Sequence, residues 1–296
     1  MDSHIPTRLC MQTPLRLAVQ KSGRLSDQSV ELLRSCGIRL SRTNGKLRAP
    51  ADNFPLEVLY LRDDDIPGYV ADGVAHAGIV GENVLEEKQR KVAIVERLGF
   101  AKCRLSIALP RGAAYGGVQS LNGRHIATSY PNILGAWLAD AGVEASIHEI
   151  SGSVEIAPGI GLSDAICDIV STGSTLLSNG LKEVEAIFRS EALLVAGENI
   201  DPAFQEILDQ VQFRIKAVLR ARNSRYILLN APNHAVNRIM EILPGMRSPT
   251  VLPLAEAGWS SVHSVVPEDE FWSVVDELKA AGAEGMLVVP IEKMVL

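Results

Sequence analysis

The chain has 296 residues, of which 47% are hydrophobic, enough to form two or three domains that each have their own core. Aromatic residues make up only 5% of the sequence, and such a composition favours layers of helices and sheets over an all-β sandwich. The formal net charge of −6 argues against a general nucleic-acid-binding protein, so we expect no nucleic-acid partner.

Cysteine and histidine residues are scattered along the chain rather than clustered. No Cys-X-X-Cys motif occurs among Cys10, Cys36, Cys103 and Cys167, a pattern typical of reduced thiols in an intracellular protein. The six histidines form no metal-binding motif, so we expect no metal site built from protein ligands. The N-terminus lacks the apolar core of a secretion signal, and no apolar run is long enough to span a membrane. These features predict a cytoplasmic protein with no membrane partner.

The first predicted strand, residues 15–19, leads into a basic loop and then into a helix that ends at Gly37. In this loop Lys21 and Arg24 flank Gly23. The loop is a candidate anion site because Lys supplies a point charge and Arg a bidentate fork. A solvated basic turn is the alternative, and the loop alone does not decide between the two.

A further strand, residues 58–61, ends in Arg62, which is followed by three aspartates. Arg62 is a candidate anion contact because ligands of open α/β sheets bind at the carboxyl ends of the strands. Three consecutive carboxylates can bind Mg²⁺, but such a run is more often a helix cap and a solvated acidic turn. We therefore interpret Asp65 as the N-cap of a helix that has Pro67 in its first turn.

Strands near residues 104–109 and 190–196 are predicted to connect two α/β lobes. A cleft between two such lobes is a natural place for a ligand. The predicted boundaries are residues 1–110 together with 190–224 for the first lobe, and 111–189 for the second.

The second lobe contains the most informative stretch, which a helix from about residue 154 is expected to precede. Ala165–Val170 is a predicted buried strand interrupted by Asp168, and Ser171-Thr172-Gly173-Ser174-Thr175 leads from it into a helix that starts at Leu176. Backbone N–H groups and hydroxyls at such a turn bind anions, while Asp168 can accept hydrogen bonds from sugar hydroxyls. Phosphate plus ribose is the predicted ligand. The alternative is a capped helix start without a ligand, since Ser and Thr are ordinary N-caps.

The last part of the chain, residues 225–296, follows the order β-α-β-β-α-β of a ferredoxin-like unit. It contains no catalytic constellation. Small modules of this kind often bind a regulatory ligand or mediate assembly, although the fold alone establishes neither role.

Together these segments resemble one family, the long form of ATP phosphoribosyltransferase, the first enzyme of histidine biosynthesis. The resemblance covers nearly the whole chain after residue 13. Its motifs are residues 21–25, 62–67, 78–83 and 127–131, and the long, specific pattern Glu155…Asp164…Asp168…Ser171-Thr172-Gly173-Ser174-Thr175-Leu176. The resemblance implies an α/β fold with a two-lobed, type II periplasmic-binding-protein-like catalytic core and a C-terminal ferredoxin-like, ACT-like regulatory domain.

The resemblance also implies the reaction. The 5-phosphoribosyl group moves from 5-phosphoribosyl-1-pyrophosphate to N1 of ATP, and pyrophosphate leaves. Mg²⁺ is implied as the cofactor, histidine as a feedback inhibitor, and dimers that assemble into hexamers as the homo-oligomer. Substitution at the anomeric carbon needs alignment and charge stabilisation more than a strong base, because N1 of adenine has no proton to lose. The lack of a Ser/His/Asp triad fits this chemistry, and pyrophosphate and water can carry most of the Mg²⁺ coordination.

The resemblance assigns roles to residues of the second lobe as hypotheses. Asp168 and Glu155 are the expected catalytic residues, which accept hydrogen bonds from the ribose hydroxyls, and Asp168 also stabilises positive charge on the sugar ring. Asp164 is interpreted as structural. The residues expected to bind the 5-phosphate, beside Asp168, are Ser171, Thr172, Gly173, Ser174 and Thr175.

Phosphate-binding residues are also expected in the first lobe, and an effector site in the C-terminal domain. The residues expected to meet the pyrophosphate or the ATP phosphates are Lys21, Gly23, Arg24 and, as a weaker candidate, Arg62. Thr250 and Val265, on the two middle strands of the C-terminal domain, are candidates for a histidine site.

Two alternatives remain. The main one is a two-lobed solute-binding protein that closes on a ligand without catalysis, against which the missing signal peptide and the cysteine pattern argue. The other is a ligand-sensing or assembly protein whose only site lies in the C-terminal domain.

Overall fold

The structure, a computed structural model, describes residues 13–41, 47–243, 245 and 248–296. The chain divides into two compact units, Met1–Asp209 and Gln210–Leu296. None of the helices described is long and apolar enough to cross a membrane.

The elements are numbered along the chain. The first eight are β1 (Leu15–Gln20), α1 (Arg24–Ser35), β2 (Arg48–Pro50), β3 (Leu56–Leu61), α2 (Ile66–Ala71), β4 (Ala77–Gly81), α3 (Glu82–Lys88) and β5 (Ala93–Arg97). Next come β6 (Cys103–Pro110), β7 (His125–Thr128), α4 (Pro131–Asp140), β8 (Ser146–Glu149), β9 (Ala165–Val170), α5 (Ser174–Ser178), β10 (Leu181–Ser190), β11 (Ala192–Ala196) and α6 (Pro202–Arg222). The chain ends with β12 (Ser224–Pro232), α7 (Val236–Ile242), β13 (Thr250–Pro253), β14 (Trp259–Pro267), α8 (Glu268–Ala280) and β15 (Glu284–Pro290).

The first lobe is built on a six-stranded sheet with the order β2-β3-β1-β4-β11-β5. β1 lies between β3 and β4 and is parallel to both. The side chains of Leu15, Leu17, Ala18 and Val19 are fully buried. Both faces of β1 are therefore covered, as is typical of parallel strands with helices on each side of the sheet.

The second lobe is built on a five-stranded sheet with the order β10-β6-β9-β7-β8. β7 is parallel to β8 and β9, whereas β6 is antiparallel to β9 and β10. Residues 103–110 therefore belong to the second lobe, and their predicted place in the first lobe is wrong. The strand is as apolar as those of the first lobe, so its pattern does not tell which sheet it joins.

The two lobes are connected by two short segments that lie side by side. One is residues 98–102, between β5 and β6, and the other is Glu191, between β10 and β11. The backbone N–H of Leu98 donates to the Ala192 carbonyl at 2.9 Å, and the N–H of Ala192 donates to the Phe100 carbonyl at 3.0 Å. The crossings are therefore hydrogen-bonded to one another rather than being independent linkers.

Two local predictions differ from the structure. The helix predicted from residue 154 is only a three-residue 3₁₀ turn, Val154–Ile156, because a Pro- and Gly-containing segment follows it. Asp65 lies at the N-cap position of α2, but its side chain makes no capping hydrogen bond. Its backbone is already helical because Asp63–Asp65 forms a 3₁₀ turn. Pro67 lies in the first turn of α2, as predicted.

The second unit is an antiparallel four-stranded sheet with the order β13-β14-β12-β15. Its core contains side chains from the sheet and from α7 and α8, such as Ile227, Ile239 and Phe271. The predicted β-α-β-β-α-β order is confirmed. The boundary between the units falls inside α6 rather than after residue 224. The backbone N–H of Met294 donates to the Ala217 carbonyl at 2.9 Å and so ties this part of α6 to the C-terminal segment.

Candidate active site

Asp168 lies on β9, at the edge of the second sheet where the parallel strands β7 and β9 end. It is half-buried, and one carboxylate oxygen accepts a hydrogen bond from the backbone N–H of Ile169 at 2.8 Å. The pKa of Asp168 is raised from 3.8 to about 6, chiefly by burial and in smaller part by the nearby charge of Glu155, while the Ile169 hydrogen bond lowers it. The structure thus brings together the two carboxylates that the sequence singled out.

The loop from Ser171 to Thr175 follows directly. Gly173 adopts the left-handed conformation with φ of +79° and serves as the N-cap of α5, and the hydroxyls of Thr172 and Ser174 lie 3.1 Å apart. α5 begins at Ser174 rather than at Leu176 and has only five residues. Its dipole is therefore short, and the anion-binding capacity of the loop comes from exposed hydroxyls and from first-turn N–H groups that have no partner within the helix.

Arg24 reaches this loop from the first lobe. Its guanidinium Nη2 donates to the hydroxyl of Ser171 at 3.1 Å. Arg24 is the first residue of α1 and follows Gly23, whose φ of +95° turns the chain from β1 into the helix. The bond joins residues 147 positions apart in sequence and places a cation of the first lobe against the loop that follows Asp168.

Lys21 and Arg62 follow neighbouring parallel strands of the first sheet. The backbone N–H of Lys21 donates to the Leu61 carbonyl at 2.7 Å, which continues the pairing of β1 with β3. Lys21, Gly23, Arg24 and Arg62 therefore share one carboxyl edge of the first sheet, where ligands of α/β sheets bind.

Arg62 also lines a cavity of about 420 Å³ that the sequence did not predict. Besides Arg62, its charged lining consists of Asp64, Asp65, Asp72, Lys88 and Arg90. Lys88 Nζ contacts Asp64 at 3.2 Å, so part of this charge is already paired. In the part of the chain that the structure describes, no group of three or more His, Cys, Asp or Glu side chains could hold a metal ion.

Two residues at the cleft, Arg104 and Tyr130, were given no role by the sequence. Arg104 donates to the Ser171 carbonyl at 3.4 Å and forms an ion pair with Glu183, so it supports the loop from β6. Tyr130 accepts a hydrogen bond from Asn83 Nδ2 at 3.0 Å across the lobes. Burial raises the pKa of Tyr130 above its ordinary value, and the charge of Asp168 adds to the shift. Tyr130 lies in the motif 127–131, but no local pattern predicts the contacts of either residue, because their partners lie far away in sequence.

Asp164 is not part of the cluster. Its carboxylate accepts from the backbone N–H of His125, the first residue of β7, at 2.9 Å. The side chain thus aligns β7 with the start of β9, in keeping with its structural interpretation.

The second unit contains a separate cavity of about 360 Å³. Both Thr250 and Val265 line it, together with Tyr226 and His263. The Tyr226 hydroxyl lies 2.9 Å from His263 Nδ1. Thr250 and Val265 lie on β13 and β14, the two middle strands in chain order as predicted, but in the sheet β14 is a central strand and β13 an edge strand. Sequence order alone does not give the order of strands in an antiparallel sheet.

Comparison with protein families gives two matches that together cover most of the chain. A model described as ATP phosphoribosyltransferase matches residues 62–217. A model described as the HisG C-terminal domain matches residues 221–293.

Two relatives named ATP phosphoribosyltransferase match along their full length. The protein from Cytophaga hutchinsonii is 61% identical over 285 residues, which cover 96% of this chain and 100% of the relative. The protein from Bacteroides fragilis is 55% identical over 282 residues, with coverage of 95% and 100%.

Solved structures show the same core. An ATP phosphoribosyltransferase complex from Thermotoga maritima aligns with a TM-score of 0.58 and 29% identity, covering 68% of this chain and 98% of that chain. A histidine kinase sensor domain with similarity to periplasmic binding proteins aligns with a TM-score of 0.50 and 13% identity, covering 70% and 90%. The second likeness shows the fold alone.

Proposed function

The chain belongs to the ATP phosphoribosyltransferase family, whose enzymes open histidine biosynthesis, and we propose that the cleft between its two lobes is where the family reaction takes place. The reaction transfers the 5-phosphoribosyl group of 5-phosphoribosyl-1-pyrophosphate to N1 of ATP and releases pyrophosphate. The observation that supports this site best is the contact of Arg24 with Ser171, because it places a cation of one lobe against the hydroxyl-rich loop of the other.

The loop suits the 5-phosphate of the donor. The hydroxyls of Ser171, Thr172, Ser174 and Thr175 and the first N–H groups of α5 are donors that converge beside β9. The left-handed Gly173 allows the tight turn that brings them together. With the phosphate at this loop, the ribose lies over Asp168.

Asp168 and Glu155 suit the ribose and the charge that develops on it. Ionised carboxylates accept hydrogen bonds from the 2- and 3-hydroxyls and stabilise an oxocarbenium-like ring when the bond to pyrophosphate breaks. The attacking N1 of adenine uses a lone pair, so neither carboxylate has to remove a proton from it. The contribution of the protein is to hold the donor and ATP in line and to exclude other orientations.

Lys21 and Arg24 suit the pyrophosphate and the ATP phosphates. Both side chains are exposed at the carboxyl edge of the first sheet, with Arg62 on the neighbouring strand. Cations there neutralise the leaving pyrophosphate from the side opposite the ribose.

The oxygen-rich surroundings also suit Mg²⁺. Mg²⁺ prefers oxygen ligands and keeps several waters, and it usually binds through one or two carboxylates plus substrate phosphates. Pyrophosphate oxygens and water would carry most of its coordination, with Asp168 and Glu155 accepting from its water shell. When bound, the ion would neutralise charge on the pyrophosphate.

Regulation is proposed to reside in the second unit. The cavity lined by Thr250, Val265, Tyr226 and His263 has the size and the hydrogen-bonding groups for an amino acid such as histidine. The exposed apolar side chains of the edge strand β15, Leu287, Val288 and Val289, favour assembly of the chain into dimers and hexamers. We place the enzyme in the cytoplasm, where both substrates are available.

The test is an assay of pyrophosphate release from protein, ATP, the phosphoribosyl donor and Mg²⁺, with the nucleotide product detected in parallel. We expect stoichiometric pyrophosphate and phosphoribosyl-ATP, and a lower rate when histidine is added. No release under these conditions would favour a solute-binding protein. Release that histidine does not change would remove the regulatory proposal and leave the catalytic one intact.

A further inference from the structure

A buried carboxylate of the first lobe caps a helix of the second. Glu87, near the end of α3, is only 6% exposed. One of its carboxylate oxygens accepts from the backbone N–H of Asn132 at 3.0 Å, and the other accepts from that of Ile133 at 3.1 Å. These are the free N–H groups in the first turn of α4.

α4 depends on this contact because its own sequence supplies no cap. The residue at the N-cap position, Tyr130, makes no capping hydrogen bond, and Pro131 lacks an N–H. α4 has ten residues, so its N-terminus carries a partial positive charge that suits a carboxylate. The Asn132 side chain also donates to the Glu87 backbone carbonyl at 2.9 Å, so the contact is made in both directions.

The contact extends along α3 to the connection between the lobes. Asn83 lies four residues before Glu87, on the same face of the helix. Its side-chain amide donates to Tyr130, and its carbonyl oxygen accepts from the Ser190 hydroxyl at 2.8 Å. Ser190 is the last residue of β10, next to the crossing at Glu191. We call Asn83, Glu87 and the start of α4 the inter-lobe cap.

The inter-lobe cap lies next to the edge of the second sheet that carries Asp168. β7 and β9 are paired in parallel, with Thr128 beside Cys167, so the chain that leaves β7 at Ser129 and Tyr130 runs next to Asp168. A shift of α4 therefore moves this edge relative to Arg24 of the first lobe. Two-lobed binding proteins close around a ligand by hinge motion, whereas the bonds described above join the lobes directly on the α3–α4 side.

We propose that Glu87 is a positioning residue that fixes the width of the cleft by capping α4 from the opposite lobe, so that the two lobes stay joined on the α3–α4 side throughout turnover. The effect of Glu87 on kcat rests on the reaction proposed above. The capping of α4 by Glu87 does not depend on that reaction.

The structural consequence is tested on the wild-type protein by hydrogen exchange of the backbone amides of Asn132 and Ile133. We expect both amides to be protected in the ligand-free protein and to the same degree with the phosphoribosyl donor and Mg²⁺ bound. Amides that exchange freely without ligand and become protected only with it would show hinge closure and overturn the proposal. Free exchange in both states would show that the cap does not form, which would also overturn it.

The kinetic consequence is tested with Glu87→Ala, Glu87→Gln and, as a control on the exposed face of α3, Glu86→Ala. Misplacement of about 1 Å costs on the order of 100-fold in rate, so Glu87→Ala should lower kcat about 100-fold. The KM for the donor should change less, since the second lobe holds its 5-phosphate and ribose and only its pyrophosphate meets the first lobe. Glu87→Gln keeps one oxygen acceptor and should recover most of kcat. Wild-type kcat in a folded Glu87→Ala variant, or a loss confined to KM, would overturn the proposal.

Discussion

Replacing Asp168 with Asn is expected to lower activity and raise stability in the same variant. The pKa of Asp168 rises from 3.8 to about 6 in the fold, chiefly because of burial. A folded-state pKa above that of the unfolded chain favours folding below pH 3.8, and this contribution is lost as the pH rises through 6. At pH 8 the ionised Asp168 therefore destabilises the fold. The shift of about two pKa units corresponds to about 3 kcal/mol as an upper value.

Asn is nearly isosteric and carries no charge, so Asp168→Asn should raise the melting temperature at pH 8 by several degrees. It should lower kcat by on the order of 10²–10³, the cost of losing one group that stabilises charge in the transition state. The measurements are thermal unfolding and pyrophosphate release on the same preparation. Asp164→Asn is the matched control and should keep near-normal activity. A variant of Asp168 that is less stable than the wild type, or that retains most of its activity, would show that Asp168 is neither the strained nor the catalytic carboxylate.

The same pKa predicts the pH dependence of catalysis. Because the ionised form of Asp168 is the active one, kcat/KM should rise through pH 6 and level off above it. Glu155→Gln removes a negative neighbour, so it should move this limb to lower pH. If the pH at which kcat/KM rises is unchanged in Glu155→Gln, the titrating group is a substrate phosphate rather than Asp168.

Three further predictions concern the rest of the machinery. Arg24→Met should lower kcat/KM about 10–100-fold because it removes a charged hydrogen-bond donor. Arg24→Lys should restore only part of this loss, because Lys lacks the bidentate fork of Arg. Full activity of Arg24→Met would contradict a functional role for the cross-lobe contact. Gly173→Ala should raise the donor KM about tenfold, because a residue with a Cβ adopts a φ of +79° only at a cost of about 1–2 kcal/mol. The control Gly68→Ala should have no effect, since open space surrounds Gly68. Steady-state kinetics checks both, and equal KM values in the two Gly variants would contradict the second. Val265→Asp should weaken histidine inhibition without changing the uninhibited rate, and unchanged inhibition would exclude the cavity that it shares with Thr250.

The parts of the site that lie in one segment could be predicted from the sequence. Asp168 and the loop from Ser171 to Thr175 follow one another along the chain, so a buried strand and a run of hydroxyl residues were enough to mark them. Arg62 could be placed at the carboxyl end of its strand, and Lys21 in the loop after another strand, but their sharing of one sheet edge could not be predicted. The contact of Arg24 with Ser171 followed from no local pattern.

What the sequence could not give depends on contacts between distant segments. Glu87 caps a helix that begins 44 residues later, and nothing near it indicates a cap. The apolar run of β6 predicts a strand but does not tell which of two sheets it joins. The position of Thr250 on an edge strand is likewise a property of the assembled sheet. In each case the local pattern gives the element, and tertiary packing decides where it lies.

The most direct test of the account is a crystal structure of the protein with the phosphoribosyl donor and Mg²⁺ bound. We expect the 5-phosphate at the loop from Ser171 to Thr175, the ribose hydroxyls at Asp168 and Glu155, and the pyrophosphate on the side of Arg24. A donor bound instead in the cavity beside Arg62, away from Asp168, would contradict it.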